Sequence, residues 1–170
     1  MTPTLVLLNG APGVGKSTVA GLLAGRAGAL VVDPDDLRAA GAGPGSARAK
    51  AFSSAAAHLA GGRTVLVPQL VAQVGQLEGF EIVARGAGAR FAHVLLVDDA
   101  GDPVGRYRRA ADEAHPARGD LDDDLLRSYV TGLDAVRAAC PDAVVVVRAE
   151  GQPEATADAV RHALAEALGS

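Results

Sequence analysis

The sequence predicts an α/β fold in three layers, a five-stranded parallel sheet with helices on both faces. Three observations carry the prediction. Short apolar runs alternate with helix-length segments along all 170 residues. The runs are continuous in valine and leucine, the composition of strands buried on both faces. The first of them, Leu5-Val6-Leu7-Leu8, leads directly into Gly10-Ala11-Pro12-Gly13-Val14-Gly15-Lys16-Ser17, a full match to the phosphate-binding loop pattern in its required strand, loop and helix context.

Taken in order, the expected strands are Thr4-Asn9, Ala29-Asp33, Thr64-Val67, Phe91-Val97 and Ala143-Arg148, each bounded by Gly, Pro or Asp. Helices fill the intervals. Ser17-Arg26 follows the glycine-rich loop, Ala47-Ala60 is alanine-rich, and Ala72-Gly86 reads as one helix weakened by two internal glycines. Asp102-Ala114 comes next. Asp122-Ala139 places Leu125, Leu126, Tyr129, Val130, Leu133 and Val136 at three- and four-residue spacing, with Asp122, Asp123 and Asp124 set against the N-terminal dipole. Pro153-Leu168 opens with proline, which a first helical turn tolerates. The glycine-rich Ala40-Ser46 reads as a mobile loop. With no repeat and no interdomain linker, residues 1–170 are expected to form one domain.

Composition narrows the function classes. Sixteen basic and twenty acidic residues leave a net charge of −4, which gives no general attraction to nucleic acid or anionic membrane. Aromatic residues make up 3%, too few for a row of base-stacking platforms, so aliphatic side chains fill the core. The single cysteine, Cys140, excludes an internal disulfide and reads as a small hydrophobe near a helix end. With no basic segment and long apolar stretch at the start, the expected location is the cytoplasm. Oligomeric state is not legible. The histidines, at positions 58, 93, 115 and 162, lack metal-ligand spacing; His115 alone lies where a loop could use it.

The glycine-rich segment implies a bound nucleoside triphosphate with Mg²⁺. Three phosphates carry dense negative charge that short-range donors must meet. Gly10, Gly13 and Gly15 let backbone N–H groups converge on the β-phosphate, and Ala11, Pro12, Val14 and Thr18 complete the loop and the first helical turn. Lys16 reaches the β- and γ-phosphates, and the Ser17 hydroxyl takes a place in the Mg²⁺ shell.

A second cluster, Asp33-Pro34-Asp35-Asp36-Leu37-Arg38, follows the second strand. In open α/β sheets the ligand crevice lies beyond the carboxyl ends of the strands, so these carboxylates can face the γ-phosphate. A carboxylate there can orient and deprotonate an acceptor hydroxyl, and Arg38 can hold a polar or anionic acceptor. Asp33, Asp35 and Asp36 are also residues favoured as helix caps. Where a carboxylate often ends the third strand, this chain has Pro68-Gln69. Gln69 can orient a water or hydroxyl but supplies no charge, so Mg²⁺ support falls to Asp33 or Asp36, or to Ser17 and the phosphates alone.

The combination of GAPGVGKST, DPDDLR after the second strand and an arginine-rich segment before the last strand resembles the small P-loop phosphotransferases related to polynucleotide kinase, zeta toxin and chloramphenicol phosphotransferase. The resemblance covers most of the chain in layout. It implies the P-loop kinase fold with sheet order 2-3-1-4-5, Asp35 as general base, Arg38 as the substrate-binding arginine, and a lid at about 103–120. The Val-Pro-Gln at 67–69 is similar to a segment of tunicamycin-resistance-like ATP-binding proteins, which implies a small-molecule acceptor.

Arg106, Arg108, Arg109 and Arg118 occupy the expected lid region. A lid arginine neutralises charge developing on the transferred phosphoryl group and helps exclude water. Arg108 with Asp112 and Arg109 with Glu113 also have the spacing of surface helix pairs. Arg106 and Arg109 share a helix face, and Arg109 and Arg118 are the leading catalytic candidates. The expectation is an ATP-dependent kinase acting on a hydroxyl of a nucleoside, sugar-containing metabolite or antibiotic. A 5′-hydroxyl polynucleotide kinase and a regulatory P-loop ATPase without an acceptor are the alternatives.

Overall fold

All seven residues of the first strand, β1 (Thr4–Gly10), are buried, because it runs through the centre of the sheet with neighbours on both edges and helices on both faces. In this computed structural model, which describes residues 2–41, 43–98, 102–114 and 121–169, β1 leads to α1 (Lys16–Ala27), β2 (Leu30–Val31), α2 (Pro34–Ala39) and α3 (Pro44–Ala60). There follow β3 (Val65–Pro68), a 3-10 turn at Val74–Gln76, α4 (Leu77–Gly86), β4 (Arg90–Val97), α5 (Pro103–Ala114), α6 (Asp123–Ala139), β5 (Val144–Val147) and α7 (Pro153–Leu168). The strands pair in parallel in the order β2-β3-β1-β4-β5, as the family resemblance implied.

Alternation along β1 divides the core in two. Leu5 and Leu7 pack with Val65, Val67, Phe80 and Val136, beneath α3, α4 and α6. Val6 and Leu8 face the other way, onto Val19 of α1 and Val160 of α7, together with Val94 and Leu96. Parallel pairing puts the carboxyl ends of all five strands along one edge, where the loops that follow them meet.

Two expectations need correction. Residues 72–86 do not form one helix: Gln73 is extended, the 3-10 turn holds Gly75, and α4 starts at Leu77. The second glycine, Gly79, lies inside α4 under the Phe52 ring, where a Cβ would come within 3.0 Å of Phe52. The loop at 40–46 is also shorter than expected, because α3 begins at Pro44, with proline in its first turn. Cys140 caps the end of α6 half-buried against the core, and burial pushes its thiol pKa up. Among the described residues, no helix is long and apolar enough to cross a membrane.

Candidate functional site

Where β1 ends, the chain passes so close to β4 that position 10 has no room for a side chain. A Cβ on Gly10 would lie 2.6 Å from the Leu96 carbonyl oxygen and 2.9 Å from Val14 Cγ1. Gly13 and Gly15 take φ of 79° and 96°, the left-handed region that costs glycine least, and Gly15 caps α1. Val14, 2% exposed, pins the loop into the core from below, and its amide donates to the Ala11 carbonyl at 3.2 Å. Lys16 Nζ folds back to donate to the carbonyls of Gly10 and Ala11, both at 3.0 Å. Ala11 and Pro12 form the half-exposed rim, and Ser17 and Thr18 open α1 on its exposed side.

Asp33 is the acidic residue that the fold brings to this loop. It is 8% exposed, its Oδ2 accepts from Ser17 Oγ at 2.8 Å, and its Oδ1 accepts from the Asp35 amide at 2.9 Å, which caps α2. Burial raises its pKa above the ordinary carboxylate value; the bonds from the Asp35 amide and Ser17 pull it back, while the charges of Asp35 and Asp36 push it up. Ser17 and Asp33 thus bring two hard oxygens together at a helix start, a donor set suited to Mg²⁺. No group of three or more His, Cys, Asp and Glu suited to a metal occurs among the described residues, so an ion here would need phosphate and water oxygens to complete its shell. Asp36 looks elsewhere. With Asp33, Leu37, Ser54 and His58 it lines a cleft of about 210 Å³ between β2, α2 and α3.

Asp35 and Arg38 sit on one exposed turn of α2. Arg38 Nη1 donates to Asp35 Oδ1 at 2.7 Å, with side chains 45% and 60% exposed respectively. The candidate base and the candidate substrate arginine therefore hold each other, on the helix that Asp33 caps. Gln69 follows β3 with its amide on the Leu8 carbonyl at 3.0 Å; its Oε1 is buried and has no hydrogen-bond partner among the described residues.

Arginines enter from the far side of the edge. Arg106 on α5 is buried and paired with Asp98, at the end of β4. Burial lowers its pKa, as do the charges of Arg148 and Arg109, while Glu150 raises it. Arg109 and Arg148 thus both lie close enough to Arg106 for their charges to act on it. Arg109 itself is exposed, with Nη1 at 3.9 Å from Asp102 Oδ2. Arg108 reaches across to α6, onto Asp123 Oδ1 at 3.0 Å. Arg118 and His115 lie outside the described residues, as do the side chains of Asp112 and Glu113.

Asp102 caps the start of α5, its Oδ1 accepting the Gly105 amide at 2.8 Å, while Asp98 pairs with Arg106; Asp99 lies outside the described residues. Arg148 was missed. Its amide continues the β4–β5 ladder onto the Val97 carbonyl at 2.9 Å, which carries its side chain to the carboxyl edge. A cation directly after an all-valine strand was the available signal.

A family model described as an AAA domain matches residues 5–128. Solved structures show the same fold. A gluconokinase from Sinorhizobium meliloti 1021 is 20% identical, covering 98% of this chain and 93% of that one, with a TM-score of 0.59. An APS kinase from Mycobacterium tuberculosis, in complex with AMPPNP and APS, is 20% identical, covering 99% of each chain, with a TM-score of 0.59. A chain of the Pnkp1/Rnl/Hen1 RNA repair complex is 19% identical over 81% of this chain and 46% of that one, with a TM-score of 0.70. A comparison with curated proteins gave no match. The architecture is that of the P-loop kinases.

Proposed function

The chain belongs to this AAA-domain family, and we propose that it is an ATP-dependent kinase that transfers the γ-phosphate to a hydroxyl of a small molecule. The observation that carries the proposal is the hydrogen bond from Ser17 Oγ to Asp33 Oδ2 at 2.8 Å, which ties the acidic cluster after β2 to the phosphate loop.

The loop amides and the N-terminal end of α1 receive the β-phosphate, and Lys16 exchanges its two carbonyl partners for phosphate oxygens. Ser17 and Asp33 would hold Mg²⁺, with Asp36 a further candidate only if its side chain turned from the neighbouring cleft, and the ion would neutralise phosphate charge. Asp35 leaves Arg38 to accept the proton of the acceptor hydroxyl as its oxygen bonds to the γ-phosphorus and the bond to ADP breaks. Arg38, freed in the same exchange, holds the acceptor. Arg106 and Arg109, with Arg118 from a lid over about 103–120, neutralise charge on the transferred group. Residues 1–170 act as one such domain, in the cytoplasm, on a nucleoside, a sugar-containing metabolite or an antibiotic.

ADP release from Mg·ATP, measured with a panel of nucleosides, sugars, aminoglycoside and nucleoside antibiotics and a 5′-hydroxyl oligonucleotide, tests this reading. The likeness to the RNA repair complex puts the oligonucleotide on the panel. The expected result is release dependent on a small-molecule acceptor, with a phosphorylated product, falling about 10²- to 10⁴-fold in Asp35→Asn. Turnover without any acceptor that survives Asp35→Asn indicates a regulatory ATPase and overturns the kinase assignment.

A further inference from the structure

One side chain at the head of the phosphate loop is fully buried, polar and unused by the chemistry above. Asn9 Oδ1 accepts from two backbone amides, Gly10 and Val71, both at 2.8 Å. Its Nδ2 donates to the Val71 carbonyl at 2.9 Å and to His93 Nε2 at 3.2 Å. Because Nε2 accepts, the imidazole carries its proton on Nδ1, and the buried ring stays neutral.

The position of these bonds gives them their meaning. The β1–β3 ladder ends at the pair Leu8 and Pro68, with one further bond from the Gln69 amide to Leu8. Beyond it the two chains part, since β1 turns into the phosphate loop while the other chain runs on toward α4. The Asn9 carboxamide replaces the missing strand, satisfying both the amide and the carbonyl of Val71. A different element closes on the same segment: a Cβ on Gly132 of α6 would lie 2.4 Å from the Ala72 carbonyl oxygen. The segment from Gln69 to Ala72 is therefore held between Asn9 and α6, and Gln69 stands at its head with an unpartnered buried oxygen.

We propose that Asn9 is a positioning residue that sets the phosphate loop against the Gln69–Ala72 wall through the backbones of Gly10 and Val71, with His93 fixing the orientation of its carboxamide. In the kinase this joins the nucleotide-holding loop to the wall on which Gln69 meets the acceptor or its water, so the proposal rests on that reading for its consequence. Its geometry and its effect on nucleotide binding do not.

The test compares wild type with Asn9→Ala, Asn9→Ser and Asn9→Asp by amide hydrogen exchange, Mg·ATP binding and ¹⁵N NMR of His93. In Asn9→Ala, the Gly10 and Val71 amides exchange at least about tenfold faster, the loss of a buried hydrogen bond, while Leu7 in the strand interior keeps its protection. The Kd for Mg·ATP rises by a similar factor. Asn9→Asp keeps an acceptor for the Gly10 and Val71 amides but sets its second oxygen against the Val71 carbonyl and His93 Nε2, so Val71 exchanges less rapidly than in Asn9→Ala and the pKa of the ring rises. Wild-type rates at Gly10 and Val71 in a folded Asn9→Ala, or unchanged nucleotide affinity, overturn the proposal. Should Asn9→Ala fail to fold, Asn9→Ser carries the same exchange and binding comparison, and a wild-type His93 protonated on Nε2 overturns the proposal directly. Failure to find a phosphorylated acceptor would sink the kinase reading while leaving these outcomes decisive.

Discussion

The two halves of the candidate site are built by opposite means. On the phosphate side, buried Asn9 and Asp33 and half-buried Lys16 are held by hydrogen bonds, most of them to backbone: Asn9 to Gly10 and Val71, Asp33 to the Ser17 hydroxyl and the Asp35 amide, Lys16 to two carbonyls. On the acceptor and lid side, Asp35, Arg38 and Arg109 are exposed and hold one another or Asp102 through ion pairs. Exposed pairs of that kind contribute about 1 kcal/mol or less, so they exchange readily for a substrate. The first half is organised before the nucleotide arrives, because its geometry is part of the fold. The exposed part of the second half is free to reorganise, because little stability depends on how its charges are paired, whereas the buried Arg106–Asp98 pair fixes α5 to the end of β4.

Acidification attacks the buried half and should give the largest effect on stability. Burial pushes His93 down to about 4 from its ordinary 6.5, so the folded ring is neutral where the unfolded ring takes a proton. The His93 contribution to stability is therefore fully present above about pH 6.5, is lost as the pH drops toward 4, and changes no further below, a total of order 3 kcal/mol. Asp33 works against this trend, since its raised pKa lets the folded carboxyl gain its proton sooner than the unfolded one. Urea denaturation between pH 4 and 7.5 measures the slope. His93→Gln should flatten it, and a slope unchanged in that variant would place the titrating group elsewhere.

Gly10→Ala tests the same half through packing. The new Cβ must displace the Leu96 carbonyl and Val14, at a cost of about 1–3 kcal/mol read by thermal unfolding, with weaker Mg·ATP binding because the loop shifts. The smallest stability effect belongs to the exposed half. Arg38→Ala should leave stability within about 0.5 kcal/mol of wild type while acceptor phosphorylation falls. A larger loss of stability would make the α2 ion pair part of the scaffold and erase the contrast.

Legibility followed the same division between local and distant causes. The phosphate loop and Ser17 were readable because the spacing of Gly10, Gly13, Gly15 and Lys16 is itself the local geometry. The α6 start was readable for a similar reason: Asp122 accepts the Leu125 amide at 2.7 Å, a bond within one turn. The break at 72–76 was hidden because nothing in its residue types announces that Asn9, distant in sequence, captures Val71. Asn9 did leave a trace, as a polar residue closing an apolar strand, and Arg148 left another.

What the sequence by itself determined is the set of local elements and the chemistry they carry. Valine-rich runs must be strands buried on both faces, and a glycine-rich turn ending in Lys-Ser must meet phosphate. Sheet order followed from a family likeness, not from periodicity, and the tertiary structure decided the partners: Asp33 for Ser17, Asp98 for Arg106, Asp123 for Arg108, Asn9 for Val71. Those pairings depend on which strands lie side by side and how closely backbones approach. Such distances arise only when the whole core packs, so no window of sequence contains them.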